Sequence, residues 1–360
     1  MLQVLKQWYE RHFSDPQVVL LALLLIFGFA LIFFAGHVLA PIFASIVFAY
    51  LLDGAVVRLE KRGMSHLAAS VLVFSMFVIL LVAVLIWLLP LMFNQLGQLV
   101  AETPEMINRA NNAILQLPKR YPEFVSDADV EGLIATARTR IGGLGDLVLS
   151  RSVSSIDNLV TLAVYLILVP VLIFFFIKDK WKILQWVSSY LPVERELTMK
   201  LWREMNVKIA GYVRGKFTEI MMIWGLSFIT FYVLGLNYAM LLALLVGLSV
   251  IIPYVGAASV TVPVLLIAYF QWGFTSDFYY VAIAYAVIQF LDANVIVPVL
   301  FSEAVNLHPI AIITAILVFG SIWGVWGVFF AIPLATLVDV VLDLWPKVSE
   351  SPAEDVATTE

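Results

Sequence analysis

Two stretches of the sequence repeat one pattern: LNYAMLLALLVGLSVIIPYVGAASVTVP, Leu236 to Pro263, and LHPIAIITAILVFGSIWGVWGVFFAIP, Leu307 to Pro333. Each opens on a leucine and a polar residue, runs into a short apolar helix, and reaches a glycine 20 residues after the leucine, at Gly256 and Gly327. A proline follows, seven residues on at Pro263 and six residues on at Pro333. The breaks are Pro253, Tyr254 and Gly256 in "IPYVGA", and Gly320, Gly324 and Gly327 in "GSIWGVWG". A longer apolar helix precedes each copy, over 215–235 and 279–300. One helix plus a broken pair crosses a membrane an odd number of times, whether the pair spans twice or dips and returns. Two copies then run in opposite senses, as an inverted repeat. Paired Gly/Pro-interrupted segments of this kind point to a transport site. The plainer alternative is that glycine and proline let membrane helices pack closely.

Composition fixes the solvent. The chain of 360 residues is 62% hydrophobic and only 13% charged, about half the charge of a soluble domain. Its mean hydropathy is +0.98. These values predict an all-α, polytopic integral membrane protein with the lipid bilayer as its first partner. The net charge of −5 singles out no charged partner and no nucleic acid. With no cysteine there is no disulfide, thiol nucleophile or Cys-ligated metal. His12, His37, His66 and His308 form no close pair, so no metal and no cofactor is expected. No Walker loop, GxSxG nucleophile or paired membrane aspartates occur, and the reading is not an enzyme.

Reading outward from the repeat gives about eight hydrophobic helices. Residues 18–35 and 38–52 form a tight pair split by Gly36, His37 and Pro41, and a third helix covers 67–93, ending near Pro90. The segment 94–155 is polar, punctuated by Pro104, Pro118 and Pro122, with Val130, Leu133, Ile134, Ala137, Ile141 and Leu144 at helical spacing. It reads as a small extramembrane, periplasmic helical domain. A fourth helix, 156–177, ends at "KDKWK". An amphipathic segment follows to residue 208, with Leu197, Leu201, Met205 and Ile209 on one stripe, suited to a membrane surface or a partner helix. The expected organisation is therefore 1–93, a three-helix membrane segment; 94–155, the outer domain; 156–208, helix and cytoplasmic segment; 209–346, the transport core; and 347–360, a disordered acidic tail. The 21 Lys and Arg divide 15 to six between inner and outer segments if both termini are cytoplasmic.

Within the helix 279–300, the run "YAVIQFLDANVIVPVL" places Asp292 near mid-membrane. A carboxylate there costs roughly 2.5–3.5 kcal/mol on insertion scales. Gln289 shares its face, and Asn294 extends the polar patch. Pro298 has no N–H to give the carbonyl of Asn294, leaving an acceptor free. These residues suit a proton, a cation or a hydrogen-bonding solute; the structural alternative is a helix–helix contact. In "YVRGKFTEIMM", Lys216 and Glu219 are three apart and can pair, with Arg214 close by. Glu219 sits deeper, and Arg214 and Lys216 suit the cytoplasmic interface.

The segments "GYVRGKFTE", "IIPYVGA", "DANVIVPVLFSEAVNLHP" and "GVWGVFFAIPLATL", with "PIFASIVFAYLL" and "VPVLIFFFIKDK", resemble the AI-2E family of membrane transporters, in its PerM-like permease branch. The resemblance spans Gln17 to Trp345, and departs at Gly54, where many relatives have proline. It implies a multi-pass protein of the bacterial inner membrane that forms homo-oligomers, pentamers among them. It implies export of a small polar solute such as autoinducer-2, or sodium (or lithium)/proton antiport as in other relatives. A membrane scaffold or regulator is the reading from another class.

Overall fold

The computed structural model describes residues 16–114, 156–190, 196–301 and 307–344. The helical stripe expected at 130–144 and the acidic tail lie outside these residues. Among the described residues the protein is all helix, with no strand. The helices are α1 (Pro16–Glu60), α2 (His66–Ala83), α3 (Leu89–Ile114), α4 (Ile156–Lys178), α5 (Lys180–Ser189), α6 (Glu196–Val233), α7 (Ala239–Ser249), α8 (Val255–Trp272), α9 (Ser276–Leu291), α10 (Val297–Phe301) and α11 (Pro309–Leu344). Among the described residues six stretches are long and apolar enough to cross a membrane, where the sequence suggested about eight; Val164–Lys178 and Ala239–Ser249 are apolar but shorter. On α2 and its continuation Met76, Ile79, Ile86 and Trp87 are each about two-thirds exposed or more. Such a face is costly in water and at no cost in hydrocarbon.

Several expected breaks are absent. α1 runs unbroken through Gly36, His37 and Pro41, where the sequence suggested a tight pair. Its 45 residues extend about 68 Å, and a continuous helix cannot turn back. Gly36 serves contact instead. A Cβ there would lie 2.6 Å from Nε1 of the buried Trp323, so the glycine is a notch for an indole. Pro90 does not end the third helix either. α2 passes through a π turn, Val84–Leu88, into α3, which continues through Pro104 to Ile114. The shift to polar residues at Asn94 is a change of surroundings within one helix. Likewise the amphipathic segment and the fifth membrane helix are one element, the 38-residue α6. Its stripe of Leu197, Leu201, Met205 and Ile209 packs on Leu21, Leu25, Leu337, Val340 and Val341, so the partner helices are the chain's own.

The chain divides into two compact units: Met1–Asp53, Phe175–Gly215 and Phe301–Glu360 form one, and Gly54–Phe174 and Lys216–Leu300 form the other. In the first, the turn between α4 and α5 is tied by Lys180 Nζ to Asp53 Oδ2 at 2.8 Å. Asp179 in that turn accepts from Lys182 at 3.0 Å, and this hydrogen bond, helped by the charge of Lys178, holds its carboxyl below the ordinary value.

Each repeat copy folds back on itself. In the second unit α7 and α8 form the first hairpin, and a Cβ on Gly256 would fall 1.8 Å from the carbonyl oxygen of Ser249. In the first unit α11 reverses at Gly324, whose φ of 59° and ψ of −135° only glycine adopts readily. There a Cβ on Gly327 would fall 1.8 Å from the carbonyl oxygen of Phe319. Eight residues of straight helix would hold those two positions about 12 Å apart. The reversal is therefore real, although α11 is long enough to count as one span. The spacing is shared: Ser249 stands 14 residues before Pro263, and Phe319 stands 14 before Pro333. The contacted carbonyl and the proline keep register, and the glycine shifts by one.

Both glycines should resist substitution. Gly256→Ala and Gly327→Ala each force two backbones apart, a distortion of about 1–3 kcal/mol or more. Each variant is expected to lower the melting temperature of purified protein by several degrees, whereas Gly28→Ala, with open space around its Cβ position, leaves it unchanged.

Candidate functional site

The second unit holds the polar residues together. Its core is apolar, built on Ile223, Phe231, Leu242, Ala243, Val246, Val264, Ala268, Val281 and Ile288. One close approach fixes α6 against α7. A Cβ on Gly247 would lie 2.7 Å from the Cβ of Trp224 and 3.1 Å from the carbonyl oxygen of Ile220. Beside this contact, Lys216 Nζ and Glu219 Oε2 are 2.6 Å apart, with side chains 5% and 3% exposed. Spacing i, i+3 puts both on the buried face of α6. Lys216 also donates to the carbonyl of Val250 at 3.0 Å. Val250 closes α7, whose last carbonyls have no helical donor, so the ammonium serves both the helix end and the carboxylate. Oε2 of Glu219 receives no well-angled hydrogen bond, and the attraction is chiefly Coulombic.

Asp292 opens a π turn, Asp292–Ile296, in which Val297 donates its N–H to the Asp292 carbonyl. A proline, Pro298, stands two residues past this turn, as Pro90 stands two past the π turn Val84–Leu88. A proline ring clashes with the carbonyl four residues back, and a wider turn relieves the clash without ending the helix. The Oδ1 of Asp292 is buried with no hydrogen-bond partner among the described residues. The charges of both Lys216 and Glu219 act on it. Two carboxylates therefore share one buried ammonium.

Tyr285 stands two turns before Asp292 on the same face and is 2% exposed. Its hydroxyl lies 3.3 Å from Thr261 Oγ1 and 3.4 Å from the carbonyl of Ala257, so it docks α9 on the second arm of the hairpin. Gln289 is half-buried between Tyr285 and Asp292. Tyr285 does not stand out in the sequence, and Lys216 reads there as able to pair with Glu219 but placed at the cytoplasmic interface. The available signal was that Lys216, Glu219, Ile220 and Ile223 share one helical face, which marks the lysine as buried rather than interfacial.

Three expected members do not join the group. Asn294 is exposed and its amide donates to Phe290 O at 2.9 Å; two residues beyond Asp292, it stands on the opposite side of the helix. Pro298 is exposed as well, and its contribution is the π turn. Arg214 is exposed, with Nε donating to Ala210 O at 2.9 Å in its own helix. The buried cation is Lys216.

At the hairpin tip, Val255 N donates to Pro253 O at 2.7 Å. Tyr254 between them has φ 63° and ψ −55°, a γ-turn of the rare, strained hand. Its side chain is 61% exposed. The second hairpin, with Gly320, Gly324, Gly327 and Pro333, belongs to the other unit. There Trp323 is 3% exposed and packs edge-on to Phe43 and stacked on Phe330, a packing role.

The model of the AI-2E family transporters matches residues 21–347. The chain belongs to the AI-2E transporter family. It is 44% identical to the PerM permease of Escherichia coli (strain K12), over 96% of this chain and 98% of that protein. It is 23% identical to the transport protein YueF of Bacillus subtilis (strain 168), over 91% of each, and 27% identical to the transport protein MT0215 of Mycobacterium tuberculosis, over 82% of this chain and 80% of that one. In this family member the buried ion pair lies within "GYVRGKFTE", and the hairpin glycines within "IIPYVGA" and "GVWGVFFAIP".

The pair is testable by a mutant cycle. Lys216→Met strands a buried carboxylate and Glu219→Leu strands a buried ammonium, each at a cost of about 3–5 kcal/mol. The double variant should recover most of that loss, read as the unfolding midpoint in detergent. Additive losses in the double variant would show that the two charges do not interact.

Proposed function

We propose that the protein is a permease that moves a small polar solute, of the kind autoinducer-2 represents, across the bacterial inner membrane. Family membership carries "transporter"; the shared charge of Lys216, Glu219 and Asp292 carries the placing of the path. Glu219 is paired to Lys216 in an apolar core, and Asp292 keeps an oxygen free to accept a hydrogen bond. A buried membrane carboxylate with an open acceptor marks a substrate or ion route by default. A passing hydroxyl, proton or cation supplies what that oxygen lacks.

Around this centre, Tyr285 holds α9 to the hairpin, and Tyr254 at the hairpin tip carries a strained backbone. The basic clusters Arg58–Arg62 and Lys178–Lys182 place those turns in the cytoplasm by the positive-inside rule. The segment 94–155 is then periplasmic, and the working form is a homo-oligomer, a pentamer by family likeness. The transport core is the segment 209–346.

The test uses purified protein in liposomes. Labelled autoinducer-2 loaded inside should leave faster than from empty-protein controls, and Asp292→Asn should slow that efflux at least tenfold with folding unchanged. Wild-type efflux from Asp292→Asn would remove the path from this site. Collapse of an imposed pH gradient on adding sodium, with no movement of the signal, would instead identify monovalent cation/proton antiport. Movement of neither in well-folded protein would turn the reading toward a membrane scaffold.

A further inference from the structure

A second polar site lies elsewhere in the same unit, where α3 leaves its apolar stretch. Glu102, Glu105, Met106 and Arg109 of α3 meet Asn237 and Tyr238 before α7, and Ile267, Phe270 and Gln271 at the end of α8. They enclose a cavity of about 160 Å³. The donors on its wall are largely committed. Arg109 gives Nη2 to Glu105 Oε1 at 2.6 Å and Nη1 to Phe270 O at 3.2 Å. Gln271 gives Nε2 to Gly235 O at 2.8 Å, and its Oε1 accepts from Asn237 N at 2.8 Å.

The acceptors are not committed. Tyr238 is only 7% exposed, yet no hydrogen bond of proper geometry satisfies its hydroxyl. The hydroxyl faces Glu102; burial first, and then that carboxylate, push its pKa up to about 12, so it stays protonated and neutral. The exposed Glu102 has no salt-bridge partner among the described residues, whereas Glu105 is neutralised by Arg109. A buried hydroxyl left open is costly unless a guest or water meets it. Tyr238 also holds a left-handed backbone, φ 57° and ψ 29°, which costs a β-carbon-bearing residue further energy. The wall thus offers oxygen acceptors and one net negative charge above a floor of Met106, Ile267 and Phe270.

We infer that this cavity is a binding site for a small organic ammonium, held by Glu102 and the Tyr238 oxygen with its carbon chain against Met106 and Phe270. An ammonium brings three donors and no acceptor, which complements what the wall leaves open. A neutral polyol brings as many acceptors as donors and leaves the Glu102 charge unmet. The site is separate from the Asp292 group and does not rest on the transport reading.

The probe is ethanolammonium at pH 7, against ethylene glycol as the neutral analogue, with binding to the full chain in nanodiscs read by ligand-observed NMR. Ethanolammonium should bind at least tenfold more tightly than the glycol. Glu102→Gln should weaken ethanolammonium at least tenfold and erase the preference, Tyr238→Phe should weaken it severalfold, and Asp292→Asn should leave it unchanged. Glu102 is exposed, so its variant tests the site without disturbing the core. Equal binding of the two probes, or wild-type affinity in Glu102→Gln, overturns the assignment. Failure of autoinducer-2 efflux with ethanolammonium binding intact would count against the transport reading alone.

Discussion

Two peptide carbonyls, those of Ser249 and Phe319, decide how this chain turns inside the membrane. Each is met by a glycine with no room for a β-carbon. In hydrocarbon an irregular backbone survives only where protein covers it, since no water is present to satisfy its polar groups. Bringing the arms of a hairpin into backbone contact is one way to supply that cover. The contact also fixes which residues can stand at the tip, and so places Tyr254 and Gly324 where positive φ is required. Everything that follows along the chain, from the docking of α9 onto α8 to the packing of Trp323 on Phe330, presupposes those reversals.

The same economy of backbone satisfaction explains the position of Lys216. A buried ammonium requires acceptors, and the end of a short membrane helix has carbonyls to give. The Val250 carbonyl and the Glu219 carboxylate converge on it, which couples the first hairpin arm to α6 through one charge. Glycine at position 247 permits the approach that makes this convergence possible. Asp292 then enters an electrostatic environment already partly neutralised. Its cost in the membrane falls without its oxygen being consumed, and this combination keeps a carboxylate both tolerable and available.

Much of this was legible in the residues. The hydrophobic composition, the two Gly/Pro-broken hairpins and the Lys216–Glu219 spacing all anticipate what the structure contains. What misled were residues that ordinarily stop helices. Gly36 reads as a break but is a notch for an indole, a fact set by a contact with Trp323, nearly 290 positions away in sequence. Pro90 reads as a terminator and Pro298 as the residue that frees a carbonyl, yet a π turn absorbs each of them. Local pattern carries the ring clash but not its remedy, because whether the helix stops or widens depends on what packs beyond the proline. Arg214 and Lys216, two residues apart, look equally interfacial in sequence; the face of α6 that each occupies separates them.

The π turn at Asp292 ties these threads together. Helical hydrogen bonding normally consumes the backbone and leaves side chains to the rotamer, but a π turn shifts the phase of all residues after it. Here Asp292 stays on the face that already bears Tyr285 and Gln289, while Asn294, two residues on, stands on the opposite, exposed side and gives its amide to Phe290 O. Pro298 gives the helix its reason to widen, since the ring clashes with the carbonyl of Asn294 four residues back. The proline therefore sets the phase of the residues beyond the turn, while the open oxygen of Asp292 is governed by what packs on its own face.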